Sequence, residues 1–379
     1  MSSTLPQLRY FDTSYRLPHC PEWSLTGHSR ALERTGFILS GPTTILLDAG
    51  IDVPDSSAPD MILITHAHID HSNALPMLMR HDRPGRLTHI FAPAPVVNRL
   101  REFAQLSFSM KVDFDQDVPE QYCTPPRIES DDGDPVYAPW EVKTRRWRPV
   151  RAGLTVPVGI GKGAKQIIVI RTVALFHGQC STVGYILSER KSKLLLHLDG
   201  GDKKSTAINV MQAKSRGEAV TLDVDITVLA FICDTSIEAL VNGPQTDLIL
   251  GSPVVMIECT YLEPAMEVEA QRRGHICWSQ LQPIVHPRLL RCADTPFSLI
   301  LIHFSLRYSD SDIVNFFSTP EINRVGTILT KRTTSLDGTK HSSAVVPDLD
   351  STPTPDIGPA HVVLWLDSGV VEIWFTDYC

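Results

Sequence analysis

The 379-residue sequence predicts an α/β fold built as one large domain. Two patterns carry this expectation. Short apolar runs alternate with helix-patterned segments, as in chains that cover a sheet with helices. Several of the apolar runs also end on a residue able to bind a metal, which gathers the chemistry at strand tips. The composition, 42% hydrophobic and 21% charged, is that of a soluble globular protein.

Composition also excludes some functions. No apolar run approaches the ~20 residues of a membrane helix. The opening stretch MSSTLPQLRYFDTSYRL lacks the apolar core of a secretory signal, and Asp12 between Arg9 and Arg16 weakens a mitochondrial presequence. A cytoplasmic or nuclear protein with no membrane partner is expected, with an organelle left open. The eight cysteines are scattered, with no CxxC pair, and read as reduced thiols. A metal site must therefore use histidines and carboxylates. The net charge of −8 argues against a broad nucleic-acid-coating surface but not against a local basic track. Residues 143–151, KTRRWRPVR, are either such a track, with phosphate contacts and stacking, or a solvated surface strand.

In chain order, residues 1–35 show weak periodicity. Residues 36–40 and 43–47 read as a hairpin turning at Gly41-Pro42, the second strand ending at Asp48-Ala49-Gly50. After a polar loop, a strand at 61–64 opens MILITHAHIDH, which crowds His66, His68, Asp70 and His71 into six residues. A short helix at 73–80, a strand at 89–92 and a helix at 94–108 follow. The acidic, proline-rich stretch 112–139 is expected to be an irregular insertion. Strands resume near Val142, at 154–158 and at 166–172, the last leading into 173–177. Further strands fall at 184–187, 193–198 and 226–232, with a short helix at 206–215. Then come a strand at 254–258, helices at 265–273 and 278–289, a strand at 298–303 and a helix at 310–317. Residues 332–359, rich in Ser, Thr, Pro and Asp, read as a mobile linker. A hairpin at 361–374 closes the chain. The expected division is a domain over 1–330, then a flexible linker and a loosely tethered C-terminal hairpin over 331–379.

Three imidazoles and a carboxylate at these offsets are improbable by chance with only 14 histidines in the chain. Two cations held by His and carboxylate need seven or eight ligand bonds, one carboxylate bridging. Three strand tips offer the remainder: His177, Asp234 after TVLAFIC, and His303 after SLILI. Asp48, closing a strand nearby, either orients a ligand histidine or caps a turn.

HAHIDH followed by His177, Asp234 and His303 resembles the five-motif pattern of the metallo-β-lactamase superfamily. Within it the chain most resembles ribonuclease Z, the endonuclease that removes 3′ trailers from precursor tRNA. MIECTYL at 256–262 resembles that family's HEAT segment, with Glu258 in the acidic position. GHICWSQ at 274–280 resembles its HST segment, with His275 in the histidine position. LIHFSLRYSD at 301–310 is close to its last metal motif. The departures are Ile257 in place of His, Cys259 in place of Ala, Ile276-Cys277 in place of Ser-Thr, GHSRALERTGF in place of a glycine-rich start, and a short segment from His177 to Asp234.

The resemblance covers residues 25–325 and implies a four-layer αββα sandwich. It assigns His66, His68 and His177 to one Zn²⁺ and Asp70, His71 and His303 to a second, with Asp234 bridging. Mn, Fe or Co are equally compatible with the donors. It also implies a two-metal hydroxide mechanism in which Asp70 orients the nucleophile. His275 would be the general acid, held by Glu258; the alternative is a residue capping a helix N-terminus. Ser305 and Arg307 are either phosphate contacts or surface packing. The implied partner is precursor tRNA or another RNA, and a homodimer is common in the family. Two other functions compete: hydrolysis of a small phosphodiester or (thio)ester, and non-catalytic RNA binding.

Overall fold

The structure, a computed structural model, describes residues 11, 13–54, 58–78, 86–109, 145–161, 166–241, 244–290, 297–319, 331–333 and 360–374. The acidic stretch 112–139 and residues 334–359 of the expected linker lie outside the described residues.

Strands β1 (Ser14–Arg16), β2 (Ser24–Arg30), β3 (Arg34–Ser40), β4 (Thr44–Leu47), β5 (Met61–Leu63), β6 (Thr88–Pro93) and β7 (Arg145–Val150) form one sheet in chain order. Its first four strands are antiparallel neighbours, and β4 to β7 run parallel. The second sheet holds β8 (Thr155–Ile160), β9 (Gln166–Ala174), β10 (Val183–Leu194), β11 (Thr221–Ile232), β12 (Val254–Glu258), β13 (Phe297–Ile302), β14 (Lys331–Thr333), β15 (Ala360–Leu366) and β16 (Gly369–Trp374). Its order is β14-β16-β15-β13-β12-β11-β10-β9-β8, with β11, β12, β13 and β15 parallel.

The two-residue period of a strand splits its side chains between two cores. Met61 and Leu63 of β5 point inward with Phe37 and Leu47, where they meet Leu229, Met256, Ile300 and Trp365 of the opposite sheet. Their neighbours Ile62 and Ile64 point outward, onto helices α1 (Ile69–Ser72), α2 (Leu75–Leu78) and α3 (Val97–Ser109) through Leu75, Leu78 and Leu100. On the other side, helix α4 (Lys203–Ser215) lies in the β10–β11 connection. Helices α5 (Pro244–Leu250), α6 (Glu267–Arg273), α7 (Trp278–Leu290) and α8 (Asp310–Ser318) follow. Of these, α5, α7 and α8 bury Ile249, Leu281, Val285, Ile313 and Phe317 against the outward residues Val255, Ile257, Leu299 and Leu301. Burying each such aliphatic or aromatic side chain contributes roughly 1.5–3 kcal/mol. The result is the αββα layering that the resemblance implies.

Three expectations are corrected. Residues 14–16 and 24–30 are strands, although their periodicity is weak. Residues 193–198 are not one strand: β10 ends at Leu194 and a 3-10 turn covers Leu196–Leu198. The C-terminal hairpin is not loosely tethered. β15 pairs in parallel with β13, and Val362, Val363, Leu364 and Trp365 are buried. Its turn is fastened as well, since Asp310 accepts backbone hydrogen bonds from Asp367 and Ser368.

Candidate metal centre

The parallel strands bring their C-terminal tips to one rim, and the histidines and carboxylates gather there. β5 hands the chain to His66 and His68, and the single turn of α1 sets Asp70 and His71. The ring centroid of His66 is 4.5 Å from that of His68 and 4.2 Å from that of His71. Glycine is required where this turn crosses the β4 tip: a Cβ on Gly50 would collide with the Asp70 carbonyl oxygen. His177 follows β9, Asp234 follows β11, and His303 follows β13.

The predicted ligands make up two of the donor groups at this rim. His66, His68, His177 and Asp234 place one ligand atom each within 4.8 Å of one another, and so do Asp70, His71 and His303. Asp234 reaches both. Its Oδ2 is 3.9 Å from His66 Nε2, 3.8 Å from His177 Nε2 and 3.4 Å from His71 Nε2, while Oδ1 is 3.3 Å from His303 Nε2. Donors at ~2.0–2.1 Å around one tetrahedral cation lie about 3.3–3.4 Å apart. Among the described residues the Nε2 atoms of His66, His71 and His303 are buried without a hydrogen-bond partner. Leaving a buried polar atom unsatisfied costs about 1–3 kcal/mol. Three orphaned nitrogens converging on two carboxylates fit a pair of divalent cations.

The outward nitrogens are fixed by the fold. Asp48 Oδ2 is 2.8 Å from His71 Nδ1, and the Asp48 carboxylate also accepts from the backbone N–H and hydroxyl of Thr65. These contacts hold Asp48 at φ 54, a left-handed conformation that costs a non-glycine residue roughly 1–2 kcal/mol. His177 Nδ1 donates to the Gly274 carbonyl at 2.8 Å. Gly274 has φ 72, and a Cβ there would strike the backbone of His177 and Gly178. His68 turns Nδ1 toward His177 Nε2 at 3.2 Å, and its Nε2 lies 2.8 Å from Cys180 Sγ.

Charge follows this packing. Burial, reinforced by His71, pushes the His66 imidazole well below its usual range, and burial with His177 lowers His68. Neutral rings are the ligand form. Burial opposes ionisation of Asp234, but His303 and His71 hold it well below the carboxylate range. Asp70 is likewise lowered against burial by the rings of His303 and His71, whose Nε2 atoms lie 3.9 and 3.5 Å from its Oδ2. Burial disfavours charge on His71, yet Asp234, Cys233 and Asp48 raise it well above its usual value.

Glu258 ends β12 and is fully buried. It accepts from Thr235 N at 2.7 Å and from Thr260 Oγ1 at 2.5 Å, and faces His275 Nδ1 at 2.9 and 3.1 Å. His275 therefore turns its other edge toward the ligands, its ring 4.7 Å from that of His177 and 5.5 Å from that of His303. Burial disfavours charge on His275, but Glu258 prevails and holds its pKa up to about 9.

Ser305 and Arg307 are not brought onto the ligands. Arg307 is exposed, over the ring of Tyr261 at 5.2 Å, and its Nη1 is 3.0 Å from Met266 Sδ. Ser305 Oγ accepts from Arg307 N at 3.4 Å, within the turn after His303. Thr65, Cys180 and Thr260 touch the site but were not foreseen. ECTY around Thr260 carries a local hint only in its placement beside Glu258.

Residues 43–136 match the model of the beta-lactamase superfamily domain. No curated protein matches the chain. Among solved structures, the yeast long form RNase Z is 12% identical with a TM-score of 0.41, covering 97% of this chain. The chain spans 42% of the length of that protein. Yeast PDE1 is 10% identical with a TM-score of 0.44, covering 78% of this chain and 91% of its own. A B3 metallo-β-lactamase with an active-site glutamic acid is 14% identical with a TM-score of 0.23, covering 44% and 54%. The family match spans the first ligand motif, His66 to His71. The chain's His and Asp clusters suit divalent metal. Among the described residues no helix is long and apolar enough to cross a membrane.

Proposed function

We propose that the protein is a zinc-dependent phosphodiesterase acting on RNA, an endoribonuclease that removes 3′ trailers from precursor tRNA. The observation that carries the phosphodiester reading is the Glu258–His275 pair beside the donor sets. Two cations bound by those donors would lower the pKa of a water and neutralise charge on a phosphoryl oxygen. His66, His68 and His177 would hold one, Asp70, His71 and His303 the other, and Asp234 both. Asp70 presents a carboxylate to that space and can orient a nucleophile by accepting its hydrogen bond. His275, protonated at neutral pH, carries the proton that a departing ribose oxygen needs. A thiolate leaving group barely needs such an acid, so the pair favours phosphodiesters over thioesters.

The tRNA assignment rests on the motif resemblance around Glu258, His275 and His303, and a homodimer follows from the same resemblance. One observation favours a second reading, a small phosphodiester. Between His177 and Asp234 the chain forms only the ribbon of β10 and β11 with the 13-residue α4, and no longer arm. Incubation with a 3′-extended tRNA and with bis(p-nitrophenyl) phosphate separates the two. Release of the trailer at the discriminator end supports the tRNA role; cleavage of the small diester alone removes it.

A further inference from the structure

We propose that Thr260 is a positioning residue that fixes the ring of His303, so that Glu258 serves the second metal position as well as His275. The Thr260 hydroxyl has one hydrogen. It lies 2.5 Å from Glu258 Oε2, an oxygen that as carboxylate only accepts. The hydroxyl's two acceptors are Glu258 Oε2 and, at 3.1 Å, the His303 carbonyl; the nearer, charged one takes the hydrogen, and with either a lone pair is left facing His303 Nδ1 at 3.1 Å. His303 Nδ1 must then carry the hydrogen, which leaves Nε2 as the lone-pair nitrogen. Nε2 is the atom 3.3 Å from Asp234 Oδ1 and 3.9 Å from Asp70 Oδ2. The chain Glu258–Thr260–His303 thus selects the tautomer in which His303 can ligate.

The backbone adds a second reason for Thr260. His303 sits at φ 62, in the left-handed region that non-glycine residues avoid. Thr260 lies across this strained position: its own carbonyl accepts from Ser305 N at 3.1 Å. Residue 259 also donates to Ile302 O at 2.9 Å. Thr260 is therefore placed to set both the rotation and the protonation pattern of the ligand, without touching substrate. This role of Thr260 rests on the proposed metal site and not on whether tRNA is the substrate.

The test is a Zn²⁺ titration of metal-stripped protein against a chromophoric chelator, for wild type, Thr260→Val, Thr260→Ser and Glu258→Gln. Thr260→Val should bind one ion as wild type does and the other ~10–100-fold more weakly. Thr260→Ser, which keeps the hydroxyl, should restore it, and Glu258→Gln should weaken the same step. Two ions bound by Thr260→Val with wild-type affinities would overturn the proposal. So would equal losses in the Val and Ser variants. If Thr260→Val does not fold, long-range ¹⁵N–¹H spectra of metal-stripped wild type decide: a neutral His303 with hydrogen on Nδ1 supports the proposal, and hydrogen on Nε2 overturns it.

Discussion

His275→Ala separates the two halves of the proposed chemistry. The substitution removes the proton donor but leaves Glu258 accepting from Thr235 N, Thr260 Oγ1 and Ile276 N. It also leaves all the donors of the two metal sets in place. Folding and metal content should therefore persist. With a pKa held up to about 9, His275 is almost wholly protonated at pH 7, so nearly every wild-type molecule carries the acid. Losing a positioned acid typically costs ~10²–10⁴ in rate. That corresponds to about 2.7–5.5 kcal/mol of transition-state stabilisation. The loss should depend on the leaving group. A ribose oxygen leaves as a strong base and needs the proton, whereas p-nitrophenolate does not. Single-turnover rates on a 3′-extended tRNA and on bis(p-nitrophenyl) phosphate, at matched metal content, measure the difference. The variant should lose most of its activity on the first and little on the second. Equal losses on both substrates, or none on either, would refute the assignment of His275 as acid.

Other consequences can be checked more briefly. Because His275 acts in its protonated form and its pKa is raised, acid-dependent cleavage should hold through neutral pH and fall as pH rises through about 9. Glu258→Gln removes the opposing charge and should move that fall down by roughly 1–3 pH units, read from a pH–rate profile. Asp48→Asn weakens the grip on His71 Nδ1 and should lower metal affinity ~10–100-fold, measured by competition with a chelator; unchanged affinity would show that Asp48 only caps the turn after β4. Gly50→Ala forces a Cβ against the Asp70 carbonyl and should lower the thermal midpoint even in metal-stripped protein, whereas an unchanged midpoint would mean that the turn can move aside.

The parts of the site visible in the sequence are those where one short stretch carries the signal. HAHIDH is a local pattern, and His177, Asp234 and His303 each close an apolar run. The strands and their inward–outward alternation could be read in the same way. What escaped depends on distant partners. β2 was obscured because His28, Ser29 and Arg30 are polar yet buried, and Arg30 Nη2 reaches the Tyr308 carbonyl at 2.6 Å across the fold. The place of the C-terminal hairpin depends on β15 finding β13, a pairing between residues 297–301 and 360–364 that no local propensity announces. β10 and β11 run beyond the apolar stretches that signal them, because their far halves are largely polar or exposed. Thr260 gains its meaning only when Glu258, His275 and His303 are brought around one hydroxyl.

Whether this rim holds two cations with Asp234 between them can be read by anomalous diffraction at the zinc edge from crystals of Zn²⁺-loaded protein. Two peaks are predicted, one among His66, His68 and His177 and one among Asp70, His71 and His303, with Asp234 in contact with both. A single peak, or peaks away from these side chains, would contradict it.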